Sequence, residues 1–238
     1  LHEVAGYLFA HQVLGRFMFN AGIRLENHKL YGNEWVPQAG VSFKAAEQTH
    51  LKFSASKGFR TPNMRELYMY ASANEYLLPE RSWSYDFTVT QRLLDNRLSM
   101  EMSLYYIKGD NIVQVVTVDG NPQNQNVGEF INKGIELSLS YRILHNLSLN
   151  SNYSYLHMDT PITGAPRNKL YAGLTYMPGK FTISEGAKVI DKLYLSTGDD
   201  AQTDSYTLVD ALVSYRALKW LDVFVKGDNL LAQKYETM

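Results

Sequence analysis

The sequence predicts an all-β chain, an antiparallel transmembrane β-barrel of about twelve meandering strands, and three patterns predict it. Hydrophobicity alternates with a period of two almost everywhere, and the connections alternate between short and long. The stretches between connections run roughly 10 to 13 residues, enough for a tilted membrane strand and longer than the roughly 5 to 6 usual in soluble sheets. Composition agrees with a folded chain: 13% of the 238 residues are aromatic, with 17 Tyr, 16 Gly and only 7 Pro, which excludes collagen-like and disordered classes. Lys plus Arg (23) nearly cancels Asp plus Glu (24), so no nucleic-acid partner is indicated. The absence of cysteine removes disulfides and thiolate metal sites. The chain starts at Leu1 without a signal-like segment and reads as a fragment or mature piece of something longer. No run approaches the roughly 18 apolar residues of a membrane helix. That excludes helices only, because a barrel strand shows lipid every second side chain.

The elements follow in order. The first strand ends at a short turn, His11 to Val13, and the second at a polar stretch, Asn27 to Glu34. The third reaches the turn at Ala46 to Gln48. The fourth places Leu51, Phe53 and Ala55 on the lipid side and Lys52, Ser54 and Ser56 inward, until Gly58 and Pro62 end regular pairing, since Pro cannot donate to a ladder. A long polar segment, Arg60 to Glu80, follows. The fifth strand reaches Asp95 and Asn96. The sixth, "RLSMEMSLYYIKG", sets Leu98, Met100, Met102, Leu104 and Tyr106 against Ser99, Glu101 and Ser103, and leads into Gly109 to Val127. The seventh, "GIELSLSYRI", sets Ile135, Leu137, Leu139, Tyr141 and Ile143 against Glu136, Ser138, Ser140 and Arg142. It turns at Leu144 and His145. The eighth ends in Met158 to Arg167, the ninth at Pro178 and Gly179, and the tenth in Lys192 to Asp204. The eleventh, "TLVDALVSYR", turns at Leu218 and Lys219 into the twelfth. Tyr141, Tyr176, Tyr215 and Trp220 crowd the short turns, as rings at headgroup level do; the high β-propensity of Tyr accounts equally for any one of them.

Four stretches, in order, carry a family resemblance. "KGFRTPNMRELY" (Lys57 to Tyr68) resembles the Gly-Phe-Arg-x-Pro and Glu-Leu-Tyr element of TonB-dependent outer-membrane receptors. "LPERSWSYDFTV" (Leu78 to Val89) resembles their Pro-Glu-x-Ser strand opening. "NVGEFINKGIELSLSYRI" is similar to their Gly-Ile/Val-Glu-Leu strand, and "KGDNLLAQKYE" to their near-terminal Asn-Leu-x-x-x-x-Tyr, with Ala232 standing where the family often has Asp. The resemblance implies a fragment of a 22-stranded barrel, residues 1–238 being its C-terminal portion, with plug domain, TonB box and last strand absent. Its twelve strands would then be the tenth to the twenty-first, with the short turns on the periplasmic side. About half a barrel leaves two unpaired edges, which require closure into a smaller barrel, a second copy or further chain.

The resemblance also implies function: uptake across the bacterial outer membrane of a scarce nutrient such as a ferric siderophore, cobalamin or another metal chelate, without catalysis or cofactor. The partners it implies are outer-membrane lipid, the small-molecule or metal-chelate ligand, and the TonB complex acting through the plug region. Two alternatives share the pattern, a passive outer-membrane channel and a soluble β-sheet binding protein that buries its apolar face under a second sheet. Within the long segment, Arg60, Arg65, Tyr68, Tyr70 and Tyr76 offer guanidinium forks and amphipathic rings suited to an anionic or aromatic chelate. The competing reading has Arg60 and Glu66 anchoring the loop as an ion pair and the tyrosines belonging to the outer girdle. Haem is disfavoured, because Arg60 to Glu80 lacks the histidine that haem receptors of this family tend to carry there.

Enzyme and metal readings find little support. His2, His11, His28, His50, His145 and His157 are scattered without ligand spacing. Ser154, His157 and Asp159 lack the ordered support of a hydrolase triad. Gly198, Asp199 and Asp200 could offer oxygens to a cation but read as a solvated loop. Met64 and Met69 could be soft copper ligands but read as apolar filler.

Overall fold

A computed structural model describes residues 3–196 and 201–236. Its elements are β1 (Glu3–Leu14), β2 (Phe17–His28), β3 (Gly32–Ala46), β4 (Thr49–Arg60), α1 (Met64–Tyr68), β5 (Glu80–Leu93), β6 (Leu98–Asp110), β7 (Val113–Val118), β8 (Asn121–Asn126), β9 (Glu129–Leu144), β10 (Leu147–Met158), β11 (Pro166–Tyr176), β12 (Phe181–Tyr194), β13 (Thr203–Leu218) and β14 (Leu221–Gly227). Twelve strands form one sheet in the order β1-β2-β3-β4-β5-β6-β9-β10-β11-β12-β13-β14, and β7 pairs only with β8. The predicted meander of twelve is therefore present. The order is linear, with no pairing of β1 to β14 among the described residues, so closure into a smaller barrel does not occur.

Boundaries differ from the sequence reading where polar residues sit inside strands. The first turn falls at Gly15 and Arg16, not at His11 to Val13. Asn27 to Glu34, expected as a long connection, is mostly strand, because Glu26, Asn27 and His28 stand opposite Glu34, Asn33 and Gly32. β4 continues through Gly58 to Arg60. The segment Gly109 to Val127 holds the hairpin β7–β8 instead of irregular loop.

By compactness the chain divides into two units, one of Leu1–Ala45, Leu51–Phe87 and Tyr105–Lys133, the other of Ala46–His50, Thr88–Leu104 and Gly134–Met238. In the first, the register places Leu8, Ala10 and Gln12 of β1 opposite Ile23, Ala21 and Phe19 of β2. Those β2 residues stand opposite Pro37, Ala39 and Val41 of β3. Side chains directly opposite share a face, so this is one nearly continuous apolar surface. Arg24, Glu26 and His28 point the other way.

The second unit repeats the division. Leu170, Ala172 and Leu174 of β11 stand opposite Val189, Ala187 and Glu185 of β12, while the other face carries Lys169 and Lys188 and a Thr175–Ser184 hydroxyl bond of 3.2 Å. On that polar face the Tyr171 ring covers Gly173 and Gly186, where added Cβ atoms would stand 3.0 Å and 3.2 Å from ring atoms. The ring lies against bare backbone, the arrangement by which an aromatic shields glycine in a strand.

The apolar face is not covered. Phe19, Phe53, Leu137, Leu170, Leu174 and Val213 are all exposed, although burying such a face is what stabilises a soluble sheet. Aromatic rows bound it. In the first unit Trp35–Trp83 (6.5 Å), Trp83–Tyr85 (6.4 Å) and Tyr85–Tyr106 (6.4 Å) form a row toward the long loops, and Phe17–Phe43 (4.6 Å) stands at the turn end. In the second unit Phe181–Tyr215 (4.8 Å) occupies the turn end, with Lys180 over the Tyr215 ring. From Trp35 to Phe43 is roughly 26 Å along the strand. A tilt of 35–45° projects this to roughly 20 Å, the scale of the apolar band between girdles of an outer-membrane barrel.

Candidate functional site

The predicted site residues lie in the first unit, on the loop side of the aromatic row. The segment after β4 begins with an N-cap: the Asn63 side-chain oxygen accepts from the N–H groups of Arg65 (2.9 Å) and Glu66 (3.0 Å), while the Glu66 carboxylate accepts from the Asn63 N–H (2.8 Å). This capping box satisfies donors that a helix start leaves open, and it starts α1. The sequence reading missed this helix, although its Asn-x-x-Glu signal is readable in "PNMREL". A five-residue helix is marginal by itself, so tertiary partners must hold it.

Arg60 is the first partner. Its guanidinium donates to both oxygens of Glu80 (2.7 and 2.6 Å) and both of Glu66 (3.0 Å each). Glu80 also accepts from the Val113 N–H at 2.7 Å. One fork thus ties the end of β4, α1, the start of β5 and the start of β7. Burial pushes the Glu80 carboxyl up, but Arg60 and the Val113 N–H outweigh it and hold Glu80 below its ordinary value. Hydrogen bonding to Glu80 lifts Arg60 further above its usual range. The anchoring of Arg60 by Glu66 is the geometry expected of the loop-holding reading.

Asparagines supply the remaining tie. Asn124 of β8 donates its N–H to Ser72 O (2.7 Å) and its amide to Glu66 O (3.2 Å), and Asn74 donates to Asn124 O (2.8 Å). Asn126 donates to Leu78 O (3.0 Å) and accepts from the Leu78 N–H (2.8 Å). Leu67 and Leu77 are buried beneath. In the β2–β3 connection, burial and then the nearby Tyr68 and Glu66 push the Tyr31 hydroxyl up.

The predicted ligand-facing tyrosines are exposed: Tyr68 is 53%, Tyr70 70% and Tyr76 82% exposed. Arg65 is exposed and has no ion-pair partner among the described residues. Tyr70 adopts φ 74°, a conformation that strains a bulky residue. Met64 and Met69, read as filler, are about half exposed. No group of three His, Cys, Asp or Glu able to hold a metal exists among the described residues. His157 pairs with Asp159 at 3.1 Å, and no hydrogen bond among the described residues joins it to Ser154. Gly198, Asp199 and Asp200 lie outside the described residues.

The chain is similar to the vitamin B12 transporter BtuB of Photobacterium profundum (24% identity over 98% of this chain and 40% of the relative) and to the metal-pseudopaline receptor CntO of Pseudomonas aeruginosa (24% over 84% and 30%). In fold it is similar to the siderophore receptor PirA of Acinetobacter baumannii, with a TM-score of 0.82 at 15% identity over 96% of this chain and 41% of that one. The chain therefore spans about a third to two-fifths of the length of these proteins. A family model described as "TonB dependent receptor-like, beta-barrel" matches residues 2–230. With alternating strands, girdles and stapled loops in the same stretch, this chain belongs to the β-barrel family of TonB-dependent receptors.

Proposed function

We propose that the protein containing this chain is an active-transport receptor of the bacterial outer membrane, taking up a scarce nutrient such as a ferric siderophore, cobalamin or another metal chelate. Residues 1–238 are the C-terminal portion of its barrel, and the TonB complex acts through a plug region outside them. The observation that carries this reading is the family match over 2–230, because its named relatives transport or bind such compounds. Arg60 holds the loop, while Arg65, Tyr68, Tyr70 and Tyr76 face the ligand. The uncovered apolar face supports a lipid-facing barrel over a soluble sheet. Uptake of labelled cyanocobalamin and ferric chelates into cells with and without TonB tests the reading. Saturable uptake that disappears without TonB is expected, and uptake that persists would make the protein a passive channel. Tyr70→Ala and Tyr76→Ala should weaken substrate binding at normal surface expression, and unchanged binding would remove the tyrosines from the site.

A further inference from the structure

The stapled loops carry a charge pattern that bears on what they bind. Across the β2–β3 connection, Arg60 to Glu80, and Asp110 to Gly128, three cations (Lys29, Arg60, Arg65) stand against five carboxylates (Glu66, Glu75, Glu80, Asp110, Asp119). Arg60, Glu66 and Glu80 are engaged with one another, which leaves Lys29 and Arg65 against Glu75, Asp110 and Asp119 to meet a ligand. The same loops expose apolar and aromatic side chains: Leu30 49%, Tyr68 53%, Met69 48%, Tyr70 70%, Tyr76 82% and Val115 59% exposed. A polyanion requires convergent guanidinium or ammonium groups, and an acidic surface repels it. Aromatic and Met side chains bind by covering apolar ligand area. The asparagine staple holds the backbone of the segment that carries Tyr68, Tyr70 and Tyr76 beforehand, which lowers the ordering cost of binding.

We propose that these loops select an uncharged or cationic metal chelate that presents a broad apolar or aromatic face, and discriminate against polyanionic chelates. This deepens the uptake reading above and rests on it. The test is calorimetric titration of the purified full-length protein with three probes: cyanocobalamin, an uncharged ferric trihydroxamate, and a trianionic ferric tris-catecholate. One uncharged probe is expected to bind at least about tenfold more tightly than the catecholate. Tyr70→Ala and Tyr76→Ala should each weaken that probe by about tenfold, more than Arg65→Gln does. Tighter binding of the catecholate, or a larger loss from Arg65→Gln than from the tyrosine variants, overturns the selectivity while leaving the receptor reading standing. Unchanged affinity in both tyrosine variants overturns it too, since the rings would then be covered by other parts of the protein. Failure of all three probes to bind overturns the receptor reading and the selectivity together.

Discussion

Tyr70 shows how a single residue separates stability from function. Its φ of 74° suits glycine, which adopts that region without steric cost. Tyr70→Gly should therefore leave the loop as stable or steady it by up to about 1 kcal/mol, read as slower amide exchange across 61–79, while removing the exposed ring. Faster exchange in Tyr70→Gly would show that the ring itself packs the loop. Glu80 gives a second test. Its carboxyl lies below the ordinary 4.5, so the stability it lends is fully present above that value and is lost as pH falls through the lower folded value; Arg60 stays charged throughout. Protease cleavage within 61–79 should stay constant from neutral pH down to about pH 5, above the ordinary Glu value, and rise below it. Glu80→Gln should cleave faster at neutral pH and lose most of this dependence.

Among the elements, α1 and the β7–β8 hairpin depend on each other through a few side chains. Asn63→Ala should cost the helix start about 1 kcal/mol. Asn124 is 7% exposed and bonds Ser72, Asn74 and Glu66, so Asn124→Ala should release the hairpin from the loop, seen as faster amide exchange in both segments. Exchange confined to one segment would mean that the staple does not couple them. In β6 the polar face is fixed by Ser103 to Thr88 (2.9 Å) and by Thr90 to Glu101 (3.0 Å), leaving Met100 and Leu104 exposed on the other side. Met102→Arg in the full-length protein should impair assembly by roughly 2–4 kcal/mol near mid-bilayer, and Ser103→Arg should be tolerated. Heat-modifiable mobility of the assembled barrel on gels reads the difference, and equal tolerance would reverse the face assignment.

For the whole chain, the edge strands decide behaviour in isolation. Tyr7, Leu8 and Val4 on β1, and Val225 and Phe224 on β14, are more than half exposed, beside backbone groups that no described strand pairs. Each such group costs several kcal/mol in hydrocarbon and invites strand addition in water. Residues 1–238 expressed alone should associate or require detergent, and a detergent-free monomer in sedimentation would revive the soluble-sheet alternative. The sequence by itself determined the twelve strands of the main sheet and its two faces, because alternation is a local property of a pleated chain. It also placed Arg60, Glu66 and the tyrosines in one connecting segment, and its capping signal at Asn63 was readable though missed. Only the tertiary structure decided that Asn27 to Glu34 is mostly paired, that Gly109 to Val127 holds a hairpin, and that Asn124 and Asn126 bind a loop some fifty residues away in the chain (|i−j| of 50 and 48). Those outcomes rest on hydrogen bonds between polar residues distant in sequence, which leave no periodicity to read.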